Sequence, residues 1–133
     1  MKRTRLALPV LFTIFLSACA TTSNSMPEAE RSRTYSASFD TVWEQVARAA
    51  DDAKFVIRDR HKEDGVLVLR SAGSVSDRKG HDIHIIVTRQ GDSQTRVDVS
   101  AEALTEVSWG DLGKSKKVVR EFLAALDSAM RRR

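Results

Sequence analysis

Val97-Asp98-Val99-Ser100-Ala101-Glu102-Ala103 is the stretch on which the fold turns. Val97, Val99, Ala101 and Ala103 alternate with Asp98, Ser100 and Glu102, and a period of two gives one apolar and one polar face only in an extended strand. Such a strand belongs to a sheet covered on one side and open to water on the other. Gln90-Gly91-Asp92-Ser93 precedes it as a turn. Before that turn, Ile83, Ile85 and Val87 alternate with His84, Ile86 and Thr88 as another strand. Residues 55–60 and 66–70 read as two more, joined through Lys62-Glu63-Asp64-Gly65, where Gly65 can take positive φ. Turns this short make hairpins, so the sheet is expected to be antiparallel. Val66-Leu67-Val68-Leu69 is apolar on both faces, which places its strand centrally in the sheet, where a sheet open on one side would expose part of it. Residues 71–80 read as a polar loop.

The helices flank this block. Between residues 41 and 53, Val42, Trp43, Val46, Ala47, Ala50 and Ala53 recur at spacings of three and four, with Glu44, Gln45, Arg48, Asp51 and Asp52 on the other face. Asp40 is the expected N-cap and Phe39 the expected staple onto the first turn. Residues 33–38 read as a short strand. Val118, Val119, Phe122, Leu123, Leu126, Ala129 and Met130 mark a long final helix. Arg131-Arg132-Arg133 follows it as a solvated tail, favourable to the helix dipole. The predicted order is β-α-β-β-β-β-α, an α+β class with an antiparallel sheet and two helices on one face. This order resembles the helix-grip layout, in which a long C-terminal helix lies across a curved antiparallel sheet, as in modules of small periplasmic lipoproteins. Tyr35-Ser36-Ala37-Ser38-Phe39-Asp40-Thr41-Val42-Trp43 is similar to the opening of such families. That resemblance implies that Tyr35 and Trp43 anchor the first helix to the sheet.

The beginning of the chain has a different character. Lys2, Arg3 and Arg5 precede an apolar run over residues 6–16, broken only by Pro9 and Thr13, and small residues follow. This is the layout of a secretory signal. The run is well short of the about 20 residues that a membrane-spanning helix needs. Leu16-Ser17-Ala18-Cys19 then resembles the lipobox of bacterial lipoproteins. The resemblance implies that the Cys19 thiol carries diacylglycerol, that the leader is cleaved before it, and that the freed amine takes a third acyl chain such as palmitate. Ala20 rather than Asp follows, which implies the outer membrane, with the domain facing the periplasm. The expected organisation is a signal peptide over residues 1–18, the lipidated Cys19 with a flexible linker over 19–32, and one α+β domain over 33–133. Cys19 is the only cysteine, so no internal disulfide supports that domain. At about 100 residues it buries between about 60 and 70% of its unfolded surface, enough for one core.

Charge and motif content narrow the function classes. The chain has a formal charge of +4, but removing Lys2, Arg3 and Arg5 with the leader brings it to +1. The basic stripe of a nucleic-acid binder is therefore missing. No Gly-x-Ser-x-Gly elbow, P-loop or dinucleotide fingerprint occurs. His81 and His84 are three apart on a strand and point to opposite faces, so they do not share an ion, and no metal or other cofactor is expected. Asp59, Glu63 and Asp64 sit among Arg58, Arg60 and Lys62 as a mixed-charge hairpin tip. Trp109-Gly110-Asp111-Leu112-Gly113 reads as a loop. It makes Trp109 and Asp111 the candidate ligand or partner residues at the mouth of the sheet–helix groove. The chain is thus expected not to be an enzyme. Its expected role is a membrane-anchored envelope module, partnered with the membrane through its lipid and with another envelope protein. The alternative is a small-ligand or lipid-binding domain that uses the groove between the sheet and the C-terminal helix.

The lipobox reading has a direct test. Cys19→Ala is expected to abolish incorporation of labelled palmitate and to release the protein from the membrane fraction. A variant that keeps the label and still floats with membranes refutes it.

Overall fold

A computed structural model describes residues 26–71, 80–104 and 111–133, with side chains in the last segment from residue 113. The alternating segments become β2 (Phe55–His61), β3 (Val66–Ser71), β4 (His81–Arg89) and β5 (Thr95–Ala103), joined at one edge by β1 (Ser32–Tyr35). They form one antiparallel sheet in the order β1-β5-β4-β3-β2. A four-residue helix, α1 (Glu28–Arg31), precedes β1, and α2 (Phe39–Asp52) and α3 (Asp111–Arg131) cover one face. The α+β class and the order of the main elements are as expected, and α1 is the addition.

Strand alternation sets the two faces. Leu67, Leu69, Ile83, Ile85, Val87, Val97 and Val99 lie beneath the helices, each 3% exposed or less. Val66, Val68 and Ile86 lie on the opposite face, which no described helix or strand covers. The run 66–69 thus lies in an inner strand, with its open-face residues partly exposed as an open sheet requires. Its strand is fourth of five, beside the edge strand β2, and half of its apolar residues face outward rather than into a second layer. β2 itself slips register between Ile57 and Asp59. Beyond this bulge, Arg60 pairs with Leu67 and brings its guanidinium over the Trp43 ring, 5.8 Å from the centroid.

The first helix starts differently from the expectation. Ser38, not Asp40, is the N-cap, and its Oγ accepts from the Thr41 N–H at 3.3 Å. Phe39 is the first helical residue and stacks on Trp43 at 5.8 Å between centroids and 16° between planes. That i,i+4 contact fixes the helix start one residue before Asp40, whose carboxylate instead reaches Lys62 Nζ at 3.0 Å. Tyr35 does not anchor α2. Its hydroxyl donates to Asp127 Oδ1 on α3 at 2.6 Å, and Arg33 Nε approaches the same carboxylate at 3.5 Å. β1 pairs with β5, the strand on which α3 packs most closely, while α2 packs on β2 and β4, so the polar partner of Tyr35 is on α3. Burial, and then the Asp127 carboxylate it donates to, push the Tyr35 phenol above its usual range.

Three expected boundaries move. α3 begins at Asp111, so Asp111, Leu112 and Gly113 are its first turn and not loop. The arginine tail is not simply solvated, because Arg132 Nη2 meets Asp52 Oδ2 at 2.6 Å. Met26, ahead of the expected domain start at residue 33, is packed in the core at 5% exposure. α1 then holds on through Glu30 to Arg120 at 2.7 Å and Glu28 to Arg96. The leader and Cys19 lie outside the described residues, as do 72–79 and Trp109 with the rest of 105–110. Among the described residues, no helix is long and apolar enough to cross a membrane.

Gly65 is the backbone position with least tolerance. Its φ is +67°, and a Cβ there would stand 2.1 Å from the Val87 carbonyl oxygen. The close approach exists because the Val87 N–H donates to the Gly65 carbonyl at 2.7 Å. Gly65→Ala therefore meets both a left-handed backbone cost and a collision, and is expected to destabilise by about 2 kcal/mol or more. Urea denaturation reads this as a lower midpoint at unchanged slope.

Candidate functional site

The interior between sheet and helices was one candidate. It is occupied by side chains: Phe122 and Leu126 are 0% exposed and Leu123 is 1% exposed. Phe122 sets its ring 6.3 Å from that of Phe55, so α3 reaches across to the start of β2. The buried polar groups serve as fasteners. Ser71 Oγ accepts from the His81 N–H at 2.8 Å, and Thr95 Oγ1 donates to the Ala37 carbonyl at 2.9 Å. His81 is buried on this side while His84 lies half-buried on the other, as their spacing of three requires. Among the described residues, no group of three His, Cys, Asp or Glu side chains could hold a metal ion.

The uncovered face is built differently. Val66 stands directly opposite Ile86 across the β3–β4 ladder, and Val68 opposite His84. Val66, Val68 and Ile86 form a compact patch of three β-branched side chains, with Ile86 49% exposed. Charged pairs on the same face surround it. Arg70 binds Asp82 in a two-pronged contact at 2.8 and 3.0 Å. Arg96 grips Asp98 at 2.8 to 3.1 Å, Ser32 donates to the same carboxylate, and Glu28 extends the cluster. His61 and Asp59 meet at 3.4 Å on β2. The hydrogen bond from Arg70 holds the Asp82 carboxyl below its usual range. Burial alone would raise Asp98, but hydrogen bonds from Arg96 and Ser32 outweigh it and lower that carboxyl as well. The face thus has an apolar centre within a rim of charges already satisfied by one another.

No protein-family model matches the chain, and no curated protein does. A solved structure shares its fold. The crystal structure of the di-domain aromatase/cyclase StfQ, from the steffimycin biosynthetic pathway, superposes with a TM-score of 0.53 at 14% sequence identity. The match covers 76% of this chain and 44% of that one, so this chain spans less than half of that protein's length. The likeness establishes the helix-grip-like fold and transfers no activity. It does correct one expectation. Absence of familiar motifs had suggested that the chain is not an enzyme, yet the same fold carries an aromatase/cyclase, so that inference is overturned.

A second concavity lies where the turns meet the start of α2. It has a volume of about 640 Å³ and is lined by Phe39, Gly65, Val87, Arg89 and the 62–64 turn. Its cations are engaged: Lys62 with Asp40 at 3.0 Å, and Arg89 over the Phe39 ring at 4.4 Å. Of the sequence-predicted site residues, Cys19 and Trp109 lie outside the described residues, and Asp111 opens α3. The open-face trio was not read as a site, although an open sheet was expected to expose part of its apolar run. The signal was present, since Ile86 interrupts an otherwise polar face.

The depressed carboxyls predict an acid dependence. Asp82 and Asp98 sit below their unfolded value of about 3.9, so their contribution is complete above that pH and is lost as pH falls through the lower native values. Stability to urea should drop below about pH 4. Asp82→Asn should flatten that slope, and an unchanged slope would remove Asp82 from the account.

Proposed function

We propose that this chain is a lipid-anchored envelope module that docks another envelope protein on the open face of its sheet. The observation that carries the reading is the Val66, Val68 and Ile86 trio, set on the uncovered face within a rim of mutually paired charges. Burying one such side chain contributes about 1.5 to 3 kcal/mol, enough for a small cluster to act as the centre of an interface. The rim pairs need little reorganisation on docking, because each arginine is already held by a carboxylate. The anchor is supported by the leader and by Leu16-Ser17-Ala18-Cys19, and Ala20 favours the outer membrane facing the periplasm. The alternative, a small ligand or lipid in the groove beneath α3, loses support because Phe122, Leu123 and Leu126 take up that space.

A photo-crosslinking residue at Thr88, exposed on the same face, tests the docking surface in intact cells. A discrete protein adduct is expected, and Ile86→Lys should reduce it about tenfold by placing a charge in the apolar centre. An adduct insensitive to Ile86→Lys, or no adduct above a control with the crosslinker at Arg48 on α2, would sink the reading.

A further inference from the structure

We infer that the edge of the domain formed by α1 and the exposed stripe of α3 lies against the bilayer and is fitted to anionic phospholipid headgroups. This rests on the lipid-anchor reading of Cys19. The argument begins with reach. The chain joins the folded core at Met26, which is 5% exposed. Seven peptide steps separate it from Cys19, and at full extension they span at most about 25 Å. A domain of about 100 residues has a radius of gyration near 13 Å and is therefore about 33 Å across. Turning it over would lift Met26 by that width, farther than the tether reaches. Inversion is thereby excluded, and because a flexible tether of this length averages only about 15 Å, orientations with the α1 edge toward the membrane are favoured.

That edge is well defined. α1 is tied to α3 by Glu30 and Arg120 at 2.7 Å, and to β5 by Glu28 and Arg96. β1 follows α1 directly, and β2 closes the opposite edge of the sheet, four strand spacings or about 19 Å away.

Charge points the same way. Lys116, Lys117 and Arg120 fall within little more than one turn of α3, on the side that Glu30 of α1 touches, and Arg131 continues the stripe. The acids of this edge are Glu28, Glu30, Glu121 and Asp127, and each is held by a cation: Arg96, Arg120 at 2.7 Å, Lys117 at 3.8 Å and Arg33 at 3.5 Å. The exposed face of α2 carries Asp40, Glu44, Asp51 and Asp52 against Arg48, with Lys62 and Arg132 reaching over to Asp40 and Asp52. The helical layer is thus more positive on the side nearest the tether than on the far side. Each cation near an anionic surface adds to attraction. A few suffice here, because the tether makes the contact intramolecular at high effective concentration.

The test uses the intact lipidated protein, whose single native thiol is acylated, so a new cysteine takes a fluorophore alone. Ala29→Cys marks α1 and Val56→Cys marks β2; both positions are exposed. The protein is reconstituted in vesicles of phosphatidylcholine and phosphatidylglycerol with a quencher on the headgroups. Quenching at Ala29→Cys is expected to exceed that at Val56→Cys several-fold. Lys116→Glu with Lys117→Glu, or vesicles of phosphatidylcholine alone, should shrink the contrast. Equal quenching at the two positions overturns the orientation, and a contrast indifferent to both changes overturns the preference for anionic lipid. Palmitate incorporation is measured on the same protein. Its absence would sink the anchor itself, whereas equal quenching of a lipidated protein sinks only the orientation.

Discussion

Phe122, fully buried midway along α3, packs on Phe55 at the start of β2 and so spans the sheet from above. Nearly every other attachment presupposes that position. Asp127, just over one turn further on, receives Tyr35 and Arg33 and so holds β1 at its edge. Arg120 receives Glu30 and holds α1. Arg132 reaches Asp52 and closes the far end of α2 onto α3. A four-residue strand and a four-residue helix cannot support themselves, since nucleation costs more than so few hydrogen bonds return. They are ordered because a long, firmly buried helix offers them fixed partners. Truncation of Phe122 would remove a large side chain from the core, at about 3 to 5 kcal/mol, and loosen the clasp that positions both short elements.

Periodicity explains what could be read in advance. The strands and both long helices announce themselves because one face of each is buried, and burial writes a period of two or of 3.6 into the chain. The failures share a different cause. α1 has no period, and its placement depends on ion pairs with residues far along the chain. Tyr35 and Asp127 are 92 positions apart, so no local pattern links them. Ser38 and Asp40 are both competent caps, and the stacking of Phe39 on Trp43 decides between them. The candidate site shows the same limit in sharper form. An apolar residue on an outward face looks identical to a core residue until the covering layer is located. Val66 and Val68 were therefore legible as apolar, and their exposure only as the consequence of a sheet left open on one side. Trp109 and Asp111 were chosen from loop composition, and the helix proved to start at Asp111.

The shared fold with an aromatase/cyclase bears on what the site can be. A sheet gripped by a long helix is a scaffold, and function resides in what is placed within or upon it. Here the interior is filled by large side chains from α3 and α2, including Trp43 at 1% exposure. The Trp43 indole N–H is buried without a hydrogen-bond partner among the described residues. Such a group costs about 1 to 3 kcal/mol. The cost is borne because the ring stacks on Phe39 and lies beneath the Arg60 guanidinium. The domain thus accepts a local penalty to keep its interior dense, which directs attention to its outside.

On the outside, exposed strand surface is guarded in one place and left available in another. β2, a free edge, carries a bulge and the run Arg58-Asp59-Arg60-His61, features that discourage another strand from adding to it. The face of β3 and β4 instead presents Val66, Val68 and Ile86. A trio of this size falls below the extended apolar patches that drive monomers to associate indiscriminately. It would also be weak as a binding surface between two freely diffusing proteins. Confinement changes that balance. If domain and partner share one membrane, the encounter takes place at high effective concentration, and a small patch holds a partner that it would release in solution. Under the proposed anchor, the modest patch and the short tether are two parts of one arrangement: the tether supplies the proximity, and the patch needs to supply only the choice of partner.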